Sequence, residues 1–517
     1  VKALYLVLFY LISSVCWCQK PGAPDPELAA EHFSHGNYMM AQPIYMQLIK
    51  QEPNNYLYNY RTGICLLKIN TPKKKEAIPY FEFCTKQPKF DQDVWLYLGR
   101  AYHIAMRLDD AIKSYENYKT KGTKEGIIEA DLGIQQCKNA KLLVKYPLNV
   151  TFTPLGKEVN SEFPDYHPYV TQNEQTLVFT SRRKGNVGAV QVEVDGYYPS
   201  DIWYSKSSNG VFQKAKSAGP AVNGNFDEIC VGLSADGNWM SVYVDDIKSA
   251  GDIYFSNYNR SWQKPVKPEG INDNVNDGFE SAGCLSPDGL TYYFASRRDG
   301  SLGGRDLYIA RKLPNGKWSK AQNMGTVLNT QHDEDFPYMA PDGKTLYFSS
   351  QGHNSMGGFD LFMSTFNEED GTWSIPRNIG YPLNTADDDM SICFTEANRV
   401  AYIASAREGG QGDLDIWRVV FNEVQQSTFT TITGKITLPD NSVNMSDVSI
   451  ALSSVATNER VGSYKPNSAS GNYVIALPPG KYIMTIDAPG CKPLIETLIV
   501  FDIGPQGLMS KDIVLLK

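Results

Sequence analysis

The sequence lacks the cysteine spacing of a metal or disulfide framework. Nine cysteines occur in 517 residues. Apart from Cys16 and Cys18 they are Cys65, Cys84, Cys137, Cys230, Cys284, Cys393 and Cys491, with no C-x-x-C pair among them. A scattered, odd-numbered set excludes the common zinc sites and a disulfide scaffold, so most are expected to be buried small hydrophobes. Histidine is scarce, with six residues, and H-E-x-x-H is absent. The close pair His32/His35 lies in a helical pattern, where a solvated face outweighs a metal site. No G-x-S-x-G occurs, because Ser355 in "GHNSMGG" (352–358) has the wrong glycine spacing for a nucleophile elbow. "TADDDMS" (385–391) fails the EF-hand calcium spacing. Beyond the first twenty residues no apolar run is long enough to cross a membrane. Nor is there a strong charge excess: the net charge is −8, with a mildly basic front and an acidic remainder, which argues against nucleic acid as the main partner.

What is present divides into segments, as the length requires, since one hydrophobic core rarely serves so long a chain. "VKALYLVLFYLISSVCWCQK" has Lys2 as a short basic region, an apolar stretch from Leu4 to Ile12 and small residues behind it. This is the pattern of a secretory signal peptide over 1–18, cut near Cys18–Gln19. Lipid attachment at Cys16 or Cys18 ranks second, because the preceding Ser-Ser-Val and Val-Cys-Trp suit it poorly. Residues 25–147 read as paired helices. In "DVWLYLGRAYHIAMRLDDAIKSYENY", Trp95, Leu98, Gly99, Tyr102, Ala111 and Tyr115 stand at tetratricopeptide (TPR) spacing. Gly99 and Ala111 are small where two helices would cross. Degenerate copies place Ala41, Tyr45 and Pro53, then Ala77 and Phe81, and residues 125–145 would cap the stack.

The period changes over 148–425. A D-[IL]-aromatic triplet recurs at Asp201, Asp252, Asp306, Asp360 and Asp415, 51 to 55 residues apart. Turns precede it, clearest as "SADG" (234–237), "SPDG" (286–289) and "APDG" (340–343), with degenerate forms at Asn173 and Asn398. Hairpins such as "NGKW" and "DGTW" follow it. Four strands per unit at this period predict a β-propeller with five visible blades and a sixth possible. The strand "NVTFTPLG" (149–156) lacks an inner strand of its own and is expected to pair with the last blade and close the ring. Residues 428–517 alternate apolar and polar positions between Gly/Pro/Asn turns, which predicts a small β-sandwich.

The propeller units resemble TolB-type members of the WD-repeat-like family, whose S-P-D-G-K turn and D-[IL]-Y strand are matched at Ser286–Gly289 and Asp306–Tyr308. The last segment resembles the carboxypeptidase regulatory-like, or transthyretin-like, fold through G-x-Y-x-x-x-L-P-P-G-x-Y at Gly471–Tyr482. The order TPR, propeller, regulatory-like domain resembles PorE-type envelope proteins of type IX secretion and gliding machinery. The resemblance implies a non-enzymatic scaffold in the periplasm or at the outer membrane, with other envelope or secretion proteins as partners. Such proteins usually continue into an OmpA-like domain; without that domain the chain would be held by partners or by an N-terminal lipid.

Two sets of residues are candidate sites. Asp165, Glu228, Glu280, Glu334 and Asp389 each stand nine residues before the fourth turn position. Five carboxylates around a channel mouth would repel one another unless compensated. Hydrogen bonds tying the blades together are the favoured reading and a bound Ca²⁺ the alternative. No other cofactor is implied. The D-[IL]-aromatic aspartates, five times repeated, read as structural acids that accept loop N–H groups. A TPR groove would offer Tyr58, Arg61, Trp95 and Tyr102 to a helix or extended segment of a partner. Two rivals to the scaffold are a glycan- or peptidoglycan-fragment-binding propeller and a hydrolase or lyase acting from a propeller face.

Overall fold

The computed structural model describes residues 23–517 except 189–191, 209, 246–250, 268–274, 277, 396–398, 423–429, 441–442 and 502–507. The leader with Cys16 and Cys18, and the turn at Asn398, lie outside the described residues. Seven α-helices come first: α1 Pro26–Ser34, α2 Tyr38–Gln51, α3 Tyr56–Lys68, α4 Ile78–Thr85, α5 Asp93–Ile104, α6 Leu108–Lys119 and α7 Lys124–Leu143. The side chains of Asp25, Asn37, Asn55 and Thr123 cap α1, α2, α3 and α7 by accepting amides of the first turn. Successive helices pack as antiparallel neighbours, and Gly99 lets α5 and α6 approach. A Cβ at Gly99 would stand 2.6 Å from the Tyr115 ring. No helix among the described residues is long and apolar enough to cross a membrane.

The five repeats form five consecutive antiparallel sheets, each built around three long strands. The inner strands are Asp165–Val170, Asp227–Leu233, Phe279–Leu285, Glu334–Met339 and Ile392–Phe394. Every D-[IL]-aromatic triplet opens a third strand: Asp201–Ser208, Asp252–Asn259, Asp306–Arg311, Asp360–Asn367 and Asp415–Phe421. Neighbouring sheets share apolar cores all the way round. Blades 1, 2 and 5 meet through Phe179, Met240 and Tyr402; blades 2 and 3 through Ile253 and Phe294; blades 3 and 4 through Leu307 and Phe348; blades 4 and 5 through Leu361 and Ile403. Val150–Pro154 pairs antiparallel with the third strand of blade 5, from Val150↔Phe421 to Pro154↔Trp417. That pairing seals the ring, and the described residues hold five blades.

The last segment folds as two four-stranded sheets around one core. Thr430–Thr437 and Asn472–Leu477 lead one sheet, and Ser449–Ser454, Gly480–Asp487 and Leu494–Val500 make most of the other. Alternate residues Tyr473, Ile475 and Leu477 point inward, as do Tyr482, Met484 and Ile486.

Candidate functional site

Each inner strand starts near one end of the ring and runs toward the Asp-Gly turns at the other. The five acids therefore share one end, and each is at least nine-tenths buried. In four of the five, an oxygen is engaged by the connector that leads into the acid's own blade. Asp165 accepts the Ser161 amide at 2.6 Å, Glu228 the Gly224 amide at 2.7 Å, Glu334 the Thr330 amide and hydroxyl at 2.8 and 2.7 Å, and Asp389 the Thr385 amide and hydroxyl at 2.5 and 2.9 Å. Glu280 accepts Ser296 at 2.8 Å and Arg298 at 2.6 Å.

A second carboxylate stands beside each of these. The aspartate opening the preceding third strand faces the acid: Asp415 by Asp165, Asp201 by Glu228, Asp252 by Glu280, Asp306 by Glu334, and Asp360 by Asp389. Cations offset three of the five pairs. Arg183 pairs with Asp165, Lys267 with Asp252, and Arg298 with Glu280, while Arg407 lies near Asp389. No cation pairs with Asp201/Glu228 or Asp306/Glu334 among the described residues. Burial pushes Glu228 up to about 8 and Glu334 to about 7, with the neighbouring aspartate adding to each shift. Asp389 rises to about 7, also through burial. No group of three or more His, Cys, Asp or Glu side chains among the described residues is disposed to hold a metal ion.

The third-strand aspartates grip the loops in front of them. Asp306 accepts the amides of Leu302 and Gly303 at 2.7 and 3.1 Å and the Asn323 amide group at 2.6 Å. Asp360 accepts Met356 N–H at 2.8 Å and Asn378 at 2.7 Å. The glycine pair before each is there for close approach. A Cβ on Gly303 or Gly357 would collide with the carbonyl oxygen of His332 or Thr385 in the next connector.

Sequence reasoning missed a third repeated device. A Val-Asn or Leu-Asn dipeptide precedes every ring acid, and its amide clamps the backbone of the preceding blade. Asn329 accepts the Leu307 N–H at 2.7 Å and donates to its carbonyl at 2.9 Å. Asn384 does the same at Leu361, Asn223 at Ile202, Asn276 at Ile253 and Asn160 at Ile416. The signal was available as a conserved offset within the chain: asparagine four or five residues before the acid.

The channel itself is plugged. His167 of blade 1 and Phe336 of blade 4, which are not neighbours in the ring, meet with ring centroids 4.5 Å apart. Each has φ near +50° and sits at a register shift of its inner strand, a bulge that swings the ring inward. Burial lowers His167 to about 3, so its imidazole is neutral.

The helical layer covers the acid-bearing end over blades 4, 5 and 1. Lys74 and Arg100 take the two oxygens of Asp387. His103 donates Nε2–H to the Met356 carbonyl at 2.9 Å, and Asn139 donates to the Ser355 carbonyl at 2.8 Å. The Met356 side chain enters the helical core, fully buried. The four residues expected to line a partner groove each make contacts within the helical layer. Arg61 donates to the Tyr45 hydroxyl at 2.7 Å and lies over Phe33. Tyr58 packs on Tyr45, Trp95 on Phe90, and buried Tyr102 donates to Glu82 under the Arg107 guanidinium. Besides His103 and Asn139, helical residues lining the gap toward the ring include Asn70, Lys74, Tyr97, Arg100 and Gln136.

No protein-family model matches the chain, and no curated protein does. Among solved structures it is similar to the putative TolB from Agrobacterium tumefaciens, at 14% identity and TM-score 0.29 over 53% of this chain and 98% of that one. It is similar to the RRP9 WD40 repeats at 8% identity and TM-score 0.30 (54% and 99%). It is also similar to an endo-arabinase from Bacteroides thetaiotaomicron VPI-5482 at 11% identity and TM-score 0.30 (53% and 99%). The propeller assignment rests on the strand pairing and ring closure described above.

Proposed function

We propose that the protein is a non-enzymatic scaffold of three interaction modules, a TPR-like helical layer, a TolB-like propeller and a transthyretin-like sandwich. In this reading it works in the periplasm or at the outer membrane within a type IX secretion or gliding apparatus, as a PorE-type protein. The observation that carries it is the use of the ring's polar groups. Acids and asparagines repeat from blade to blade; every asparagine and four of the five acids bind the chain's own backbone, and Glu280 binds its Ser296 and Arg298 side chains, so they favour an assembled surface over a reacting centre. Phe226, Phe279 and Leu302 are exposed on blades 2 and 3 at the acid-bearing end, where blades 4 and 5 meet the helices instead. An apolar arc beside a docked domain suits a protein partner. The test is affinity capture of the full chain from crosslinked envelopes, followed by mass spectrometry. Recovery of outer-membrane or secretion components is expected, and a chain recovered alone overturns the proposal.

One observation favours the glycan reading. At the opposite mouth, a recess of about 280 Å³ is lined by Trp239, Tyr338, Gln172 and Asp236, an aromatic and polar mixture that suits a sugar ring. Quenching of tryptophan fluorescence by peptidoglycan fragments, lost in Trp239→Ala, would support it; no quenching removes it.

A further inference from the structure

The face formed by alternate helices α3, α5 and α7 is where a helical layer of this kind would be expected to receive a partner. Here that face already has an occupant. The propeller sends two segments into it: 354–358, between the second and third strands of blade 4, and 385–388, the connector into blade 5. Their contacts are of three independent kinds. Asp387 is an ion-pair partner: Lys74, whose side chain is 8% exposed, binds one of its oxygens, and Arg100 stands 3.6 Å from the other. Burial alone would raise the Asp387 carboxyl, but the Lys74 and Arg100 charges outweigh it and hold it below the ordinary value. Backbone carbonyls form the second kind, since Ser355 and Met356 present theirs to Asn139 and His103. The third is apolar: Met356 is fully buried in a cluster otherwise made of helical residues.

Within its own domain Lys74 has the uncharged Asn70 side-chain oxygen at 3.2 Å, which does not replace the carboxylate. If the helices swung away, Lys74 would lose its carboxylate, His103 the carbonyl that is its only polar partner among the described residues, and Met356 its cover. Burial lowers His103 to about 3, so it stays neutral and keeps its proton on Nε2 for the Met356 carbonyl. What is left of the face is a gap of about 510 Å³ between Tyr97, Arg100 and Glu129 on one wall and Gln351, Gly358 and Asp388 on the other. Any ligand entering it would touch both domains at once.

We infer that the α3/α5/α7 face is an intramolecular seat for the chain's own propeller, closed to outside partners, and that helices and ring behave as one rigid unit. The inference does not depend on the envelope role. It is tested on the whole chain by calorimetry and limited trypsinolysis at Lys145, which lies in the connection between α7 and the ring. The wild type should melt in one transition that includes the helices, and be cleaved slowly. Asp387→Asn should leave Lys74 without a countercharge and speed cleavage at Lys145 about tenfold, with the helices melting ahead of the ring. Lys74→Met, made on the other side of the contact and away from the ring's own fold, should loosen it less, because it removes the buried cation too. The double variant should be cleaved more slowly than Asp387→Asn alone. A wild type in which helices and ring melt separately overturns the inference. So does an Asp387→Asn protein cut at the wild-type rate, or a double variant no slower than that single one.

Discussion

Asn329 shows how much a single side chain does in this ring. Its amide satisfies both backbone groups of Leu307, a fully buried residue. Asn329→Ala removes both bonds and strands the buried Leu307 N–H, while the carbonyl keeps the Met324 amide at 3.0 Å; this should cost about 1–3 kcal/mol in denaturant unfolding. Asn54→Ala, at an exposed position, should stay within about 0.5 kcal/mol of the parent. Glu228 makes a different claim. Its folded value of about 8 exceeds the ordinary 4.5, so between these values the folded chain holds a proton that the unfolded chain releases. The associated stability is fully present below about 4.5 and is lost as the pH rises through 8. The denaturation midpoint should therefore fall between about pH 5 and pH 9, and Glu228→Gln should flatten part of that fall. A variant with the parent's slope would show that Glu228 is ionised in the folded state.

At the scale of elements, sequence and structure agree where the signal is local and repeated. The D-[IL]-aromatic triplets open third strands because strand alternation, turn residues and period all coincide there. The closing strand was legible because "NVTFTPLG" reads as a strand with no partner nearby. It should matter accordingly. The Asn422 N–H to Asn149 carbonyl bond sets the alternation that puts Thr151 opposite Val420 in a hydrogen-bonded pair. Thr151→Pro removes that ladder bond and should lower the ring's melting temperature by several degrees, while a valine there should not. Other features were not legible because their partners are remote. The asparagine clamps look like ordinary turn residues until the preceding blade is in place. The His167–Phe336 plug joins residues of two blades that never pair, and its bulges hide within apparently regular strands. Lys74 and Asp387 come from different domains, and no local pattern in either segment points to the other.

At the scale of the molecule, both flanking domains attach to the ring at one place. The chain enters at Val150 and leaves at Phe421, and these two residues are paired with each other; Asn149 and Asn422 join side chains just outside them. A mechanical load between the helices and the sandwich would therefore reach the ring at the open end of an antiparallel ladder. It would peel the bonds singly, as a zipper opens, in place of straining them all together in shear. Once Asp387→Asn has freed the helices to move, pulling on the two termini in a force spectrometer should open the Val150–Pro154 strand first and at low force. The four complete blades should follow in separate, higher steps. The ring then acts as a loop held by its own clasp, and the docked helical layer bears the tension that would otherwise undo it.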